Sequence, residues 1–174
     1  MAGFDLSKFL NEDWQQAHRI DRPGLTCEVV QLANAVFIAT RHWIGEENFV
    51  ASVIGHTLVC DVCQNRFLVW RDSKPNFDEV MGLLGKFTVS LGDEMVKFLK
   101  NKYMMGSERA LSISCEEVQV ALSESFRTRS LPEDNDFVVA FIGHICICPE
   151  CSSCLGQLME IFKAEQSLEN GAPK

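Results

Sequence analysis

The chain has 174 residues, 47% of them hydrophobic, with a formal net charge of -8 and an isoelectric point near 5.0. A chain of that size and apolarity can bury a core without a metal or disulfide staple, and its negative field argues against a general nucleic-acid coat. No apolar run reaches the roughly 18 residues a membrane span needs, and the first residues lack the basic and apolar regions of a secretory signal.

These features predict a soluble cytoplasmic protein whose eight cysteines are reduced, serving metal ligation or redox chemistry in place of a disulfide framework.

In chain order, residues 5–18 read as an amphipathic helix with Leu6, Phe9, Leu10 and Trp14 on one face. Thr26 is placed to cap a helix of three to four turns that begins at Cys27. After an acidic loop around Glu46 and Glu47, the β-branched and aromatic run 49–54 predicts a buried strand. Gly55 and His56 come next, then Cys60 and Cys63, with residues 64–66 read as a turn into a second strand, 67–70, closing a hairpin.

Residues 76–91 form a connecting segment whose Met81, Leu83, Leu84 and Phe87 need burial, and Gly92 breaks the chain before a helix over 93–103. Ser114 and Glu117 have the spacing of a capping box ahead of a second Cys-Glu helix. Beyond it lie acidic Glu133 and Asp134, a second apolar run 137–142 read as a strand, then Gly143, His144, Cys148 and Cys151. Residues 155–162 read as a C-terminal helix.

The second half repeats the first. With a shift of 88, residues 27–63 lie over 115–151 with 14 identities in 37 positions and no gap, where unrelated segments of ordinary composition give about two or three. Cys27, His56, Cys60 and Cys63 fall on Cys115, His144, Cys148 and Cys151. The predicted units are 1–75 and 92–174, joined by 76–91 and packed as one body. Each is a helix–helix–β-strand or hairpin unit with a zinc-knuckle turn. The predicted class is therefore α+β with pseudo-two-fold symmetry.

A Cys-x2-Cys turn presents two thiolates to one tetrahedral ion. Three arrangements compete. The first gives two Cys3His zinc sites, Cys27, His56, Cys60, Cys63 and Cys115, His144, Cys148, Cys151, and uses every residue the duplication matches. Its obstacle is His56, because four extended residues would hold it about 13 Å from Cys60 unless the chain bends at Gly55. The second places one shared zinc on Cys60, Cys63, Cys148 and Cys151. The third is an iron–sulfur cluster on Cys146, Cys148, Cys151 and Cys154, whose spacing is irregular for that role. Against all three stands plain packing, since free cysteine is among the most buried residue types and His56 and His144 could be hydrogen-bonded core residues. The two-site arrangement is preferred.

No phosphate-cradling glycine loop is present, and neither histidine stands in the His-x-Glu pattern of zinc deaminases. The expectation is a non-enzymatic, zinc-stabilised adaptor, regulator or inhibitor that engages another protein. One alternative is zinc-dependent nucleic-acid binding through Lys97, Lys100, Lys102, Tyr103 and Arg109 with Arg66 and Arg71, which the net charge disfavours. Another is a thiol redox sensor or oxidoreductase using Cys151 and Cys154. Trp43, Met104 and Met105, if exposed, are the first candidates for a partner surface.

Overall fold

The computed structural model describes residues 25–90, 97 and 108–171, and among them every regular element is a helix. The first half holds α1 (Cys27–Thr40), α2 (Glu47–Val59), α3 (Asp61–Asp72) and α4 (Phe77–Ser90), and the second holds α5 (Glu108–Ser112), α6 (Cys115–Thr128), α7 (Asn135–Ile147) and α8 (Pro149–Gly171). The sequence duplication is thus a duplication of structure, α1 to α3 corresponding to α6 to α8.

Local chemistry sets the ends. Thr26 is extended and its hydroxyl accepts from the Val29 amide at 3.5 Å. Ser114 accepts from the Glu117 amide while the Glu117 carboxylate accepts from the Ser114 amide at 2.7 Å, a complete capping box. Both helices end on an arginine in the left-handed region, Arg41 at φ 63° and Arg129 at φ 53°. Asp134 caps α7 through the Phe137 amide, and Asn76 and Glu79 cap α4 reciprocally at 2.9 and 3.1 Å.

One core draws on both halves, including Leu32, Ile44, Phe49, Trp70, Leu84 and Phe87 from the first and Leu122, Phe141, Ile142 and Leu155 from the second. α1 lies at its centre, against α2, α3, α4 and α7.

The expected α+β class is overturned. The runs 49–54 and 137–142 lie within α2 and α7, and 67–70, expected to be a hairpin strand, lies within α3. For the run in α7 the cause is burial: every residue from Val138 to Ile147 is buried, so that helix shows no polar face and its sequence loses the period that separates a helix from a buried strand. The run 67–70, with Leu68 and Val69 exposed, is instead too short for its β-branched and aromatic residues to decide between helix and strand. The pseudo-two-fold axis also fails, because α7 packs on α1 while the reciprocal pair, α2 and α6, makes no comparable contact. The 76–91 segment is mostly the core helix α4. The helices predicted over 5–18 and 93–103 lie outside the described residues, as do Met104 and Met105, apart from Lys97, which is helical.

Candidate metal centres

The helical form of α2 removes the obstacle at His56. In a helix, four residues rise about 6 Å and return to the same face, so His56 and Cys60 stand one turn apart, and the Cys60 amide donates to the His56 carbonyl at 2.9 Å. No bend at Gly55 is needed.

Cys60 alone joins α2 to α3. It is extended (φ -100°, ψ 111°), closing α2 and opening α3. Cys148 has nearly the same conformation (φ -102°, ψ 113°) between α7 and α8, whose axes meet at 99°. The second cysteine of each pair, Cys63 or Cys151, then falls in the first helical turn and is fully buried. Cys27 and Cys115, the first residues of α1 and α6, approach the corner from the neighbouring helix.

The donors of each half converge: one atom from each of Cys27, His56, Cys60 and Cys63, and likewise of Cys115, His144, Cys148 and Cys151, lie within 4.8 Å of one another. In the first cluster, Cys27 Sγ is 3.6 Å from His56 Nε2 and 3.8 Å from Cys60 Sγ. In the second, Cys115 Sγ is 3.6 Å from both His144 Nε2 and Cys148 Sγ. A tetrahedron with Zn–S near 2.3 Å and Zn–N near 2.0–2.1 Å has edges of about 3.8 Å between sulfurs and about 3.6 Å between sulfur and nitrogen. The donor spacing fits that tetrahedron and greatly exceeds the 2.0–2.1 Å of a disulfide; all eight cysteines are free.

Electrostatics favour thiolate at the corner. The Cys60 thiol is held below its usual range, first by the Cys63 backbone amide, with the Cys27 and Cys63 thiols adding to it. At Cys148, burial opposes the shift, but the Cys151 amide and the Cys115 and Cys151 thiols outweigh it and the value again falls. Both cysteines sit at a helix N-terminus, where the backbone dipole favours negative charge. The other four cluster thiols move upward: burial raises Cys27, Cys63 and Cys151, and the hydrogen bond to Cys148 is the main influence on Cys115. Burial lowers His56, favouring the neutral imidazole a metal requires.

His144 is further fixed. Its Nδ1 lies 2.8 Å from the carbonyl oxygen of Ala110 in α5, so Nδ1 carries the proton and Nε2 presents its lone pair to the cluster. Nothing in the sequence marked Ala110, because a backbone acceptor 34 residues away leaves no side-chain signature.

Two Cys3His sets of this geometry, with no disulfide, fit two zinc ions. The shared-site arrangement fails, since Cys60 and Cys63 belong to one cluster and Cys148 and Cys151 to the other. The iron–sulfur arrangement fails with it: Cys146 is buried in the core, apart from the cluster, and Cys154 packs partly buried against that core. Cys151, the first thiol of the proposed redox pair, is a donor of the second cluster, and Cys154 is not.

Of the basic residues considered for nucleic acid, Arg109 pairs with Asp136 at 2.6 Å, Arg71 with Asp72 at 2.9 Å, and Arg66 lies 5.3 Å over the Trp70 ring. Trp43 is half-buried, stacked on Phe37 at 4.2 Å. Among the described residues no single helix is long and apolar enough to cross a membrane. Comparison with protein-family models, curated proteins and solved structures returns no match, so the chain is characterised by its own geometry: a duplicated helical protein with two Cys3His zinc-binding clusters.

Proposed function

We propose that the chain is a zinc-stabilised interaction module, an adaptor, regulator or inhibitor acting on another protein, in which each zinc holds a helical corner and takes no part in catalysis. The observation that carries this reading is the donor set. Three cysteines and one histidine already supply four ligands, whereas catalytic zinc keeps a position open for water and a carboxylate nearby as base.

Position supports the same role. Each cluster ties the start of one helix to the corner between two others, which is where a metal fixes orientation. The units 1–75 and 92–174 act as one body on this reading, because helices of both share a core. A rigid body with net charge -8 suits basic partners better than nucleic acid.

The test is quantitative crosslinking of the zinc-loaded chain in extract of its source cells, beside a Cys27→Ser/Cys115→Ser double variant. A stoichiometric protein partner lost in the variant is the expected result. Recovery of nucleic acid alone, or of no stoichiometric partner, overturns the reading.

A further inference from the structure

The two halves share a backbone plan but are covered differently. α1 is packed by α4 and α7 besides its own α2 and α3, whereas α6 packs on α7 and α8, and no other described helix makes a comparable contact with it. The divergence begins after the metal corners. α3 stops at Asp72, and the chain turns through Pro75 and Asn76 so that α4 packs against α1. α8 instead runs on for 23 residues as one helix, and among the described residues no equivalent of α4 packs on α6.

The face of α6 that no described helix covers bears a groove of about 590 Å³ between α6, the loop 130–133 and Phe137. Its floor is apolar: Val120, Leu131 and Phe137 stand where α1, its following loop and α2 have Leu32, Trp43 and Phe49. Yet Val120 is 65% exposed where Leu32 is 0% exposed. Around that floor, Glu117, Glu124 and Glu133 replace Val29, Val36 and Gly45, and Glu116 matches Glu28. The Ser114 amide holds the Glu117 carboxylate and Arg127 holds that of Glu124, which fixes both side chains along the helix. Of the three residues that share this face of α1, Val29, Leu32 and Val36, only Leu32 keeps an apolar counterpart, Val120, which now stands between Glu117 and Glu124 and beside Leu131 and Phe137.

We propose that the α6 groove receives an amphipathic helix of a partner protein, apolar along one stripe and rich in lysine or arginine beside it. It would occupy on α6 the kind of position that covering helices occupy on α1. Apolar side chains would fill the space above Val120 and Leu131, and basic ones would meet Glu116, Glu124 and Glu133. This rests on the interaction-module reading and names the surface and the partner's chemistry.

The probe is a designed peptide of about 18 residues, with leucine at helical spacing i, i+3, i+4, i+7 and lysine elsewhere. It is titrated into the zinc-loaded full chain beside a scrambled peptide of the same composition. The expected result is saturable binding at least about tenfold tighter than the scrambled control, weakened about tenfold by Val120→Asp and again by Glu116→Lys/Glu133→Lys. Val69→Asp, on exposed α3, should change nothing, and because Val120, Glu116 and Glu133 are exposed, thermal melts should show every variant folded.

Equal binding of the scrambled peptide, or indifference to Val120→Asp, overturns the proposal. A photocrosslinker at position 120 that reacts with the chain's own residues 1–24 also overturns it. If a partner from the source cells crosslinks through another face, the groove is wrong while the interaction-module reading stands; if none crosslinks at all, that reading is what fails.

Discussion

Asn34 and Thr57 meet inside the first half, the Asn34 amide donating to the Thr57 hydroxyl at 2.9 Å with both residues buried. Their twins are Leu122 and Ile145, both 0% exposed, so the matched positions are buried and polar in one half, buried and apolar in the other. A buried donor stripped of its acceptor costs about 1–3 kcal/mol, whereas replacing both partners by apolar groups can be nearly neutral. Thr57→Ile should therefore destabilise the chain by about that amount, and Asn34→Leu/Thr57→Ile should recover most of it. A denaturation cycle over the four proteins checks this, and additive losses would show that the twin's packing does not transfer.

The same scale shows what a single residue reveals in sequence. Cys27 and Cys115 stand far from the cysteine pairs, and one copy alone would read as a buried thiol; only their correspondence marked them as cluster members. Ala110 left no such mark, since it acts through its carbonyl oxygen. His144→Gln should lower zinc occupancy of the second cluster and leave the first loaded, as metal analysis beside Cys115→Ser would record.

Among the elements, cap chemistry was the most legible. Thr26 and Ser114 sit where their side chains predict, because a cap depends on residues only three apart. The strand expectation for 49–54 and 137–142 failed for the opposite reason: these segments are helices buried on most sides because of their tertiary surroundings, and a short apolar run carries no record of them. That error produced the apparent obstacle at His56, which disappears once α2 is helical.

The helix ends yield another prediction. Arg41 and Arg129 hold left-handed backbone, which favours glycine. Arg41→Gly should raise stability by about 0.5–1 kcal/mol in chemical denaturation. Arg129→Gly should gain less, since Arg129 also lies 3.8 Å from Asp78 and 4.3 Å over the Phe162 ring. Equal gains at both would mean that those contacts contribute little.

Across the whole molecule, the duplication could be read from the sequence and the packing of its copies could not. Identity at matched positions fixes the local unit. Among the described helices α1 is central and α6 peripheral because the sequences diverge beyond the metal corners, into α3 and the returning α4 in one half and the long α8 in the other. The core spans both halves and is largely apolar, so removal of metal by a strong chelator should lower the thermal midpoint while retaining most of the helical circular dichroism. Complete loss of helix would show that the metals hold the core itself. Acid should act like the chelator, because protons compete for three thiolates and one imidazole in each cluster. Occupancy should therefore fall as pH falls.

Metal content per chain tests the central claim most directly, measured with element identification on the purified protein and on Cys27→Ser, His56→Ala, Cys115→Ser and His144→Ala. Two independent Cys3His sites predict two zinc ions in the parent, falling to about one in each variant. A single ion indifferent to all four changes, or no zinc in the folded protein, would contradict the account.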